Sequence, residues 1–117
     1  MSDENSINEK TNQGNNDYTC NSFHGAIEFI GKRWMGMIIY RLLDGPKRYH
    51  ELLEEIHGIS DRLLSERLRE LVEHGLVYKN VSPTKARKVE YELTESGLEL
   101  KEIMNAIVKW VEKLGNH

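Results

Sequence analysis

The sequence predicts a mainly α fold carrying one small β-hairpin near its C-terminal end. Three observations lead there. Apolar residues recur at helical spacing in five separate stretches, two short runs read as strands on either side of "SPTKARK", and the strand signal falls between the last two helical stretches.

The first helix is placed at about residues 22–30, with Phe23, Ala26, Ile27 and Ile30 at helical spacing behind Asn21 and Ser22 as caps. Met35, Ile38, Ile39, Leu42 and Leu43 then follow the spacing of an amphipathic helix, and "DGP" at 44–46 stops it. "KRYHELLEEIHGIS" reads as a brief extended piece at 47–49, a helix of about two turns through Leu52, Leu53 and Ile56, and a glycine-containing turn at 57–60. "GISDRLLSERLRELVEHG", residues 58–75, follows directly. Ser60 is its natural N-cap, Asp61 favours the positive end of the helix dipole, and Gly75 sits where a left-handed residue ends a helix. Two helices meeting at a tight turn outline a helix-turn-helix, an outline that an αα-hairpin shares.

"LVYKNV" at 76–81 and the alternating "VEYEL" at 89–93 form the hairpin, with a basic tip. Thr94 caps a final helix from Glu95 to about Leu114, whose apolar residues cover far more than one stripe. Such a helix needs more covering than a small domain offers.

A chain of 117 residues, 38% apolar and 30% charged, fits one soluble domain with a modest core. Residues 1–17 are rich in Asn, Ser and acids and nearly devoid of apolar side chains, so we expect a disordered tail ahead of a folded domain at 18–117. The tail accounts for the whole net charge of -3, and residues 18–117 balance 15 basic against 15 acidic side chains. No run reaches the length of a membrane span and the start lacks a signal-peptide pattern, which places the protein in the cytoplasm with no membrane partner. The single Cys20 makes no intrachain disulfide; it is either a free thiol or a bridge between chains.

Stepping about 100° per residue along 61–73, Leu64, Leu68, Leu71 and Val72 cluster on one side, while Arg62, Ser65, Glu66 and Arg69 lie opposite and on its flank. Arg67 projects beside the apolar face, where it would pair with an acid such as Glu70 or lie along the domain surface. By itself the outer face reads first as a solvated surface with pairs such as Arg62 with Glu66 and Arg69 with Glu73. Basic clusters flank this helix in sequence: Lys32, Arg33, Arg41, Lys47 and Arg48 before it, and Lys85, Arg87 and Lys88 after it.

The order of helices and hairpin is that of a winged helix-turn-helix, here with added N- and C-terminal helices. "IGKRW", "GPKRYHELLEEIHGIS", "LLSERLRELVEHGLV" and "VEYELTESG" together resemble the HxlR-type regulators of bacteria, relatives of the MarR group, from Cys20 to about Trp110. Tyr49 stands where that family usually has Phe, Lys79 where Arg is common, and Ala86 and Arg87 where a wing proline is usual.

The resemblance implies a bacterial transcription regulator that binds a palindromic operator in double-stranded DNA as a homodimer. A recognition helix enters the major groove with its N-terminal half, where arginine bonds guanine O6 and N7 together, and the wing reaches phosphates. The DNA-binding residues expected are Arg48, Ser60, Arg62, Ser65, Glu66, Arg69, Lys85, Arg87 and Lys88. The dimer interface expected joins Phe23, Ile27 and Ile30 of the first helix (22–30) to Ile103, Ile107, Trp110, Val111 and Leu114 of the last (95–114). Several family members sense electrophiles or oxidants through an N-terminal cysteine, which makes Cys20 the candidate sensor; the dipole of the first helix would stabilise its thiolate and His24 would assist. The bland alternative for Cys20 is inert packing. The alternative for the whole protein is a winged helix that docks proteins and leaves DNA alone.

Enzyme chemistry finds no support. His24, His50, His57, His74 and His117 are scattered without metal-ligand spacing, "GKRW" lacks the rest of a phosphate-binding loop, and no nucleophile stands on a recognisable elbow. We expect no catalytic residue, no metal and no cofactor.

Overall fold

The computed structural model describes residues 22–81 and 88–115. The expected tail at 1–17, Cys20, Lys85 and Arg87 lie outside the described residues.

Helix α1 spans Phe23–Ile30 and begins where Ser22 Oγ accepts the Gly25 N–H at 3.0 Å. Helix α2 spans Met35–Leu42 and buries Met35, Ile38, Ile39 and Leu42, the face its spacing predicts. Between them Trp34 is held at φ 72, a left-handed conformation unusual for a bulky residue. Its ring lies where a Cβ at Gly58 would stand 3.2 Å away, and Gly58 itself has φ +100, so the turn after the next helix admits glycine alone without strain.

Strand β1 is the pair Lys47–Arg48, and helix α3 follows at once over Tyr49–Glu55. Glu51 secures the start of α3 by accepting the Arg48 N–H at 2.8 Å. Helix α4, Asp61–Glu73, opens with Ser60 Oγ accepting the Leu63 N–H at 3.0 Å and buries Leu64, Leu68 and Leu71. Gly75 then takes φ +74 and lets the chain turn into strand β2, Val77–Val81. Strand β3, Val89–Leu93, returns antiparallel with Val77 opposite Leu93 and Val81 opposite Val89.

The hairpin is not the whole sheet. β1 pairs with the far edge of β3, Lys47 opposite Tyr91 and Arg48 opposite Glu90, giving three strands in the order β1-β3-β2. A two-residue strand has no periodicity of its own; its partner supplies the conformation.

The last helix is also in two pieces, a correction to the single helix expected at 95–114. Helix α5, Glu95–Leu98, is capped by Thr94, and helix α6 runs over Lys101–Gly115. Between them the Glu99 and Leu100 N–H groups bond Ser96 and Gly97 carbonyls three residues back, at 3.2 and 3.0 Å, which tightens the turn. The cause is tertiary. Thr94 N–H donates to the Leu76 carbonyl at 3.0 Å, and Gly97 is pressed so close that a Cβ there would stand 2.3 Å from the same oxygen. α5 is thus docked on the chain ahead of β2, while α6 departs from the core with only Met104 buried.

The core is one apolar cluster of α2, α3 and α4 side chains, closed by Phe29, Val77, Leu93 and Met104. Among the described residues it holds no buried polar or charged side chain, and no helix is long and apolar enough to cross a membrane.

Candidate nucleic-acid interface

Burial of Leu64, Leu68 and Leu71 fixes the rotation of α4, so its other face is decided before any ligand is considered. Arg62, Ser65 and Arg69 are exposed on that face and Glu66 is half-buried. Among the described residues Arg62 makes no hydrogen bond or ion pair, so the intrahelical pair with Glu66 is not formed. Arg69 meets Glu73 only at 3.9 Å, with both side chains more than half exposed, a contact worth little in water. Ser60 is exposed at the helix start and Arg48 is half-buried at the junction of β1 and α3. Lys88 is exposed immediately before β3.

Arg67 behaves differently, as its position beside the apolar face predicts. Its guanidinium meets Glu70 at 3.1 Å and its Nε donates to the Arg33 carbonyl at 3.0 Å. Lys32 binds the other oxygen of Glu70, also at 3.1 Å. The turn after α1 is thereby tied to α4. The Phe29 ring of α1 also packs on the His74 ring at the end of α4, with centroids 4.4 Å apart.

At the start of α4 the tie is a phenol. The Tyr49 hydroxyl contacts the Asp61 carboxylate, the Asp61 carbonyl at 2.7 Å and Ser65 Oγ at 3.1 Å. Burial, with the Asp61 hydrogen bond next in weight, raises the Tyr49 pKa, so the phenol keeps its proton.

Exposed Lys79 and half-buried Tyr91 border this face and were not among the DNA-binding residues expected from sequence. Ser65, Arg69, Lys79 and Tyr91 line, with Leu68 and Val72, a cleft of about 360 Å³ between α4 and the sheet. Lys79 stands directly opposite Tyr91 in the ladder. The signal was available in the hairpin register, which places Lys79 across from the alternate residue of "VEYEL". Among the described residues no carboxylate lines this cleft, which suits it to an anionic strand.

A second surface lies on the helices at either end. Phe23 is 82% exposed and Trp110 60%, and Ile27, Ile103, Ile107, Val111 and Leu114 are each about half exposed. Ile30, expected on the same surface, is half-buried and also packs against the chain's own core. Among the described residues no group of three or more metal-ligating side chains comes together.

The HxlR-like helix-turn-helix family model matches residues 29–117. The regulator YodB of Bacillus subtilis is 40% identical over 94 residues, covering 80% of this chain and 84% of that protein. The structure of reduced YodB superposes with a TM-score of 0.70 at 42% identity, over 75% of this chain and 86% of that one. The quinone-bound form of YodB gives 0.66 at 40% identity, over 75% and 91%. The redox regulator HypR in its reduced form gives 0.70 at 36% identity, over 75% and 87%. A protein described as a MarR-family transcriptional regulator from Enterococcus faecalis gives 0.69 at 32% identity, over 78% and 83%.

Proposed function

As the chain belongs to the HxlR-like helix-turn-helix family of transcriptional regulators, we propose that it binds a palindromic operator as a homodimer and responds to an electrophile or oxidant through Cys20. It acts in the cytoplasm, by binding and not by catalysis.

The observation that carries the DNA reading is the outer face of α4. With Leu64, Leu68 and Leu71 held in the core, Arg62 is left exposed and, among the described residues, without a partner at the end of the helix that enters a major groove. A guanidinium so placed has its donors free for guanine O6 and N7. Arg69 and Lys79 border the cleft beside it and meet the phosphate backbone, and Lys88 joins them from the base of the wing. Ser60, Glu66 and Arg48 complete the face, and Lys85 and Arg87, which follow β2 and precede β3 in sequence, are assigned to it as well.

The homodimer follows from apolar surface that the chain does not cover itself. Phe23 and Ile27 on α1, with Ile103, Ile107, Trp110, Val111 and Leu114 on α6, form a patch that a two-fold partner buries. Such a dimer sets two recognition helices about 34 Å apart, one turn of DNA, and so calls for a palindrome.

Cys20 lies two residues before the Ser22 cap of α1 in sequence, and a thiol near the positive end of a helix is favoured as thiolate. Quinone-bound YodB and the redox regulator HypR support the choice of signal. Because α1 contributes to the dimer patch, a modified or bridged Cys20 would rotate one subunit against the other and break the match to successive grooves. The test is operator affinity before and after diamide or a quinone in the wild type and in Cys20→Ser. A response confined to the wild type supports the switch; the same affinity throughout makes Cys20 structural.

A further inference from the structure

The Tyr49 side chain spans the molecule's core and its candidate DNA face. Its ring packs against the buried cluster, and its backbone is fixed as the first residue of α3, directly after the ladder pair of Arg48 with Glu90. Little rotational freedom is left. The hydroxyl reaches the first two turns of α4 and meets both Asp61 and Ser65 there. A phenol has one proton to give, and a carboxylate is a stronger acceptor than a neutral hydroxyl. The Tyr49 proton therefore goes to Asp61, and the Ser65 hydroxyl donates to the Tyr49 oxygen.

Two consequences follow for a helix lying in a DNA groove. The Asp61 carboxylate is drawn toward the protein, which limits its repulsion of phosphates. Ser65 is exposed but has already committed its only proton, so it faces solvent with lone pairs alone. A free serine hydroxyl accepts or donates and discriminates poorly between bases; this one only accepts. In the major groove, the groups that satisfy an acceptor are the amino groups of adenine N6 and cytosine N4.

Resting on the DNA reading above, we propose that Tyr49 is a positioning residue for base discrimination: through Asp61 and Ser65 it makes α4 select a base bearing an exocyclic amino group at one place in each half-site.

The experiment selects duplexes from a random pool with wild type, Tyr49→Phe, Ser65→Ala and the double variant, and then measures each protein on the wild-type operator and on random duplex. Phenylalanine retains the ring in the core and removes only the hydroxyl. The wild type is expected to enrich adenine or cytosine at one position per half-site. Tyr49→Phe loses that preference, with about a fivefold fall in the ratio of operator to random affinity, the size of one hydrogen bond. Release of Asp61 weakens operator and random duplex alike, so the ratio isolates the Ser65 contribution, and in the Ser65→Ala background Tyr49→Phe leaves that ratio unchanged. The proposal is overturned if Tyr49→Phe selects the same bases with the same ratio, or if its full effect persists when Ser65 is already alanine. A wild type that prefers no duplex at all overturns the DNA reading itself, and this proposal with it.

Discussion

The Lys32 ammonium lies 3.1 Å from one oxygen of the Glu70 carboxylate, while Arg67 holds the other. The carboxylate therefore joins the turn after α1 to the middle of α4. Lys32 is exposed, but Glu70 and Arg67 are largely buried, so Glu70→Ala, which leaves Arg67 without its carboxylate, is expected to destabilise the protein by about 1–2 kcal/mol. Lys32→Ala should cost less, because Arg67 remains paired. Urea midpoints of the two variants, with salt raised in parallel, check the order and its decline on screening.

Arg62 and Lys88 should differ in kind. Arg62→Ala is expected to lose roughly 1–3 kcal/mol of operator binding and to relax base preference, as for a bidentate guanine contact. Lys88→Ala should weaken all duplexes alike and lower the salt slope by about one unit. Equal losses on operator and random duplex for Arg62→Ala would reduce it to a phosphate contact.

The dimer patch is addressed by Ile107→Glu together with Trp110→Glu. Both side chains are exposed on α6 and neither belongs to the core cluster, so the substitutions leave the chain's own packing intact. Sedimentation should report monomers, with operator binding lost. A dimer that survives places the interface elsewhere.

Gly97 offers a packing test. Because a Cβ there would stand 2.3 Å from the Leu76 carbonyl oxygen, Gly97→Ala forces the backbone of α5 or of the segment ahead of β2 to move. Overpacking of this kind costs roughly 1–3 kcal/mol, a loss that thermal unfolding would record. Gly36 has nothing within 4 Å of its Cβ position, so Gly36→Ala is the harmless control.

Stability should fall at both ends of the pH scale. The Arg48 N–H hydrogen bond lowers the Glu51 pKa. A lowered folded pKa means that the stabilisation is present above the unfolded value and is lost as pH falls through the folded one. Glu51→Gln should therefore flatten the acid limb of denaturant midpoint against pH. Burial and Asp61 raise the Tyr49 pKa, so its contribution is full below 10 and is lost as pH rises through the folded value. Tyr49→Phe should remove that alkaline limb.

Features governed by neighbours in sequence were legible from it. The leucine spacing of α4, the Ser60 cap and the left-handed Gly75 all appear where local pattern places them, because each is settled within one or two helical turns. What depends on distant partners was not legible. β1 becomes a strand only because β3 lies beside it, and the break after α5 is set by a carbonyl at Leu76. The outer face of α4 was readable as a face, whereas the link of Tyr49 to Asp61 and Ser65 and the cleft shared with Lys79 and Tyr91 needed the turn and the sheet register.

The central claim is that the α4 face of a dimer reads DNA sequence. Its most direct test is the affinity of the wild-type protein, across a salt series, for a duplex selected from a random pool and for an unselected duplex of the same length. The account predicts tighter binding to the selected duplex at every salt concentration, with log affinity falling linearly against log salt for both. Equal affinity for the two duplexes, or no binding to either, would contradict it.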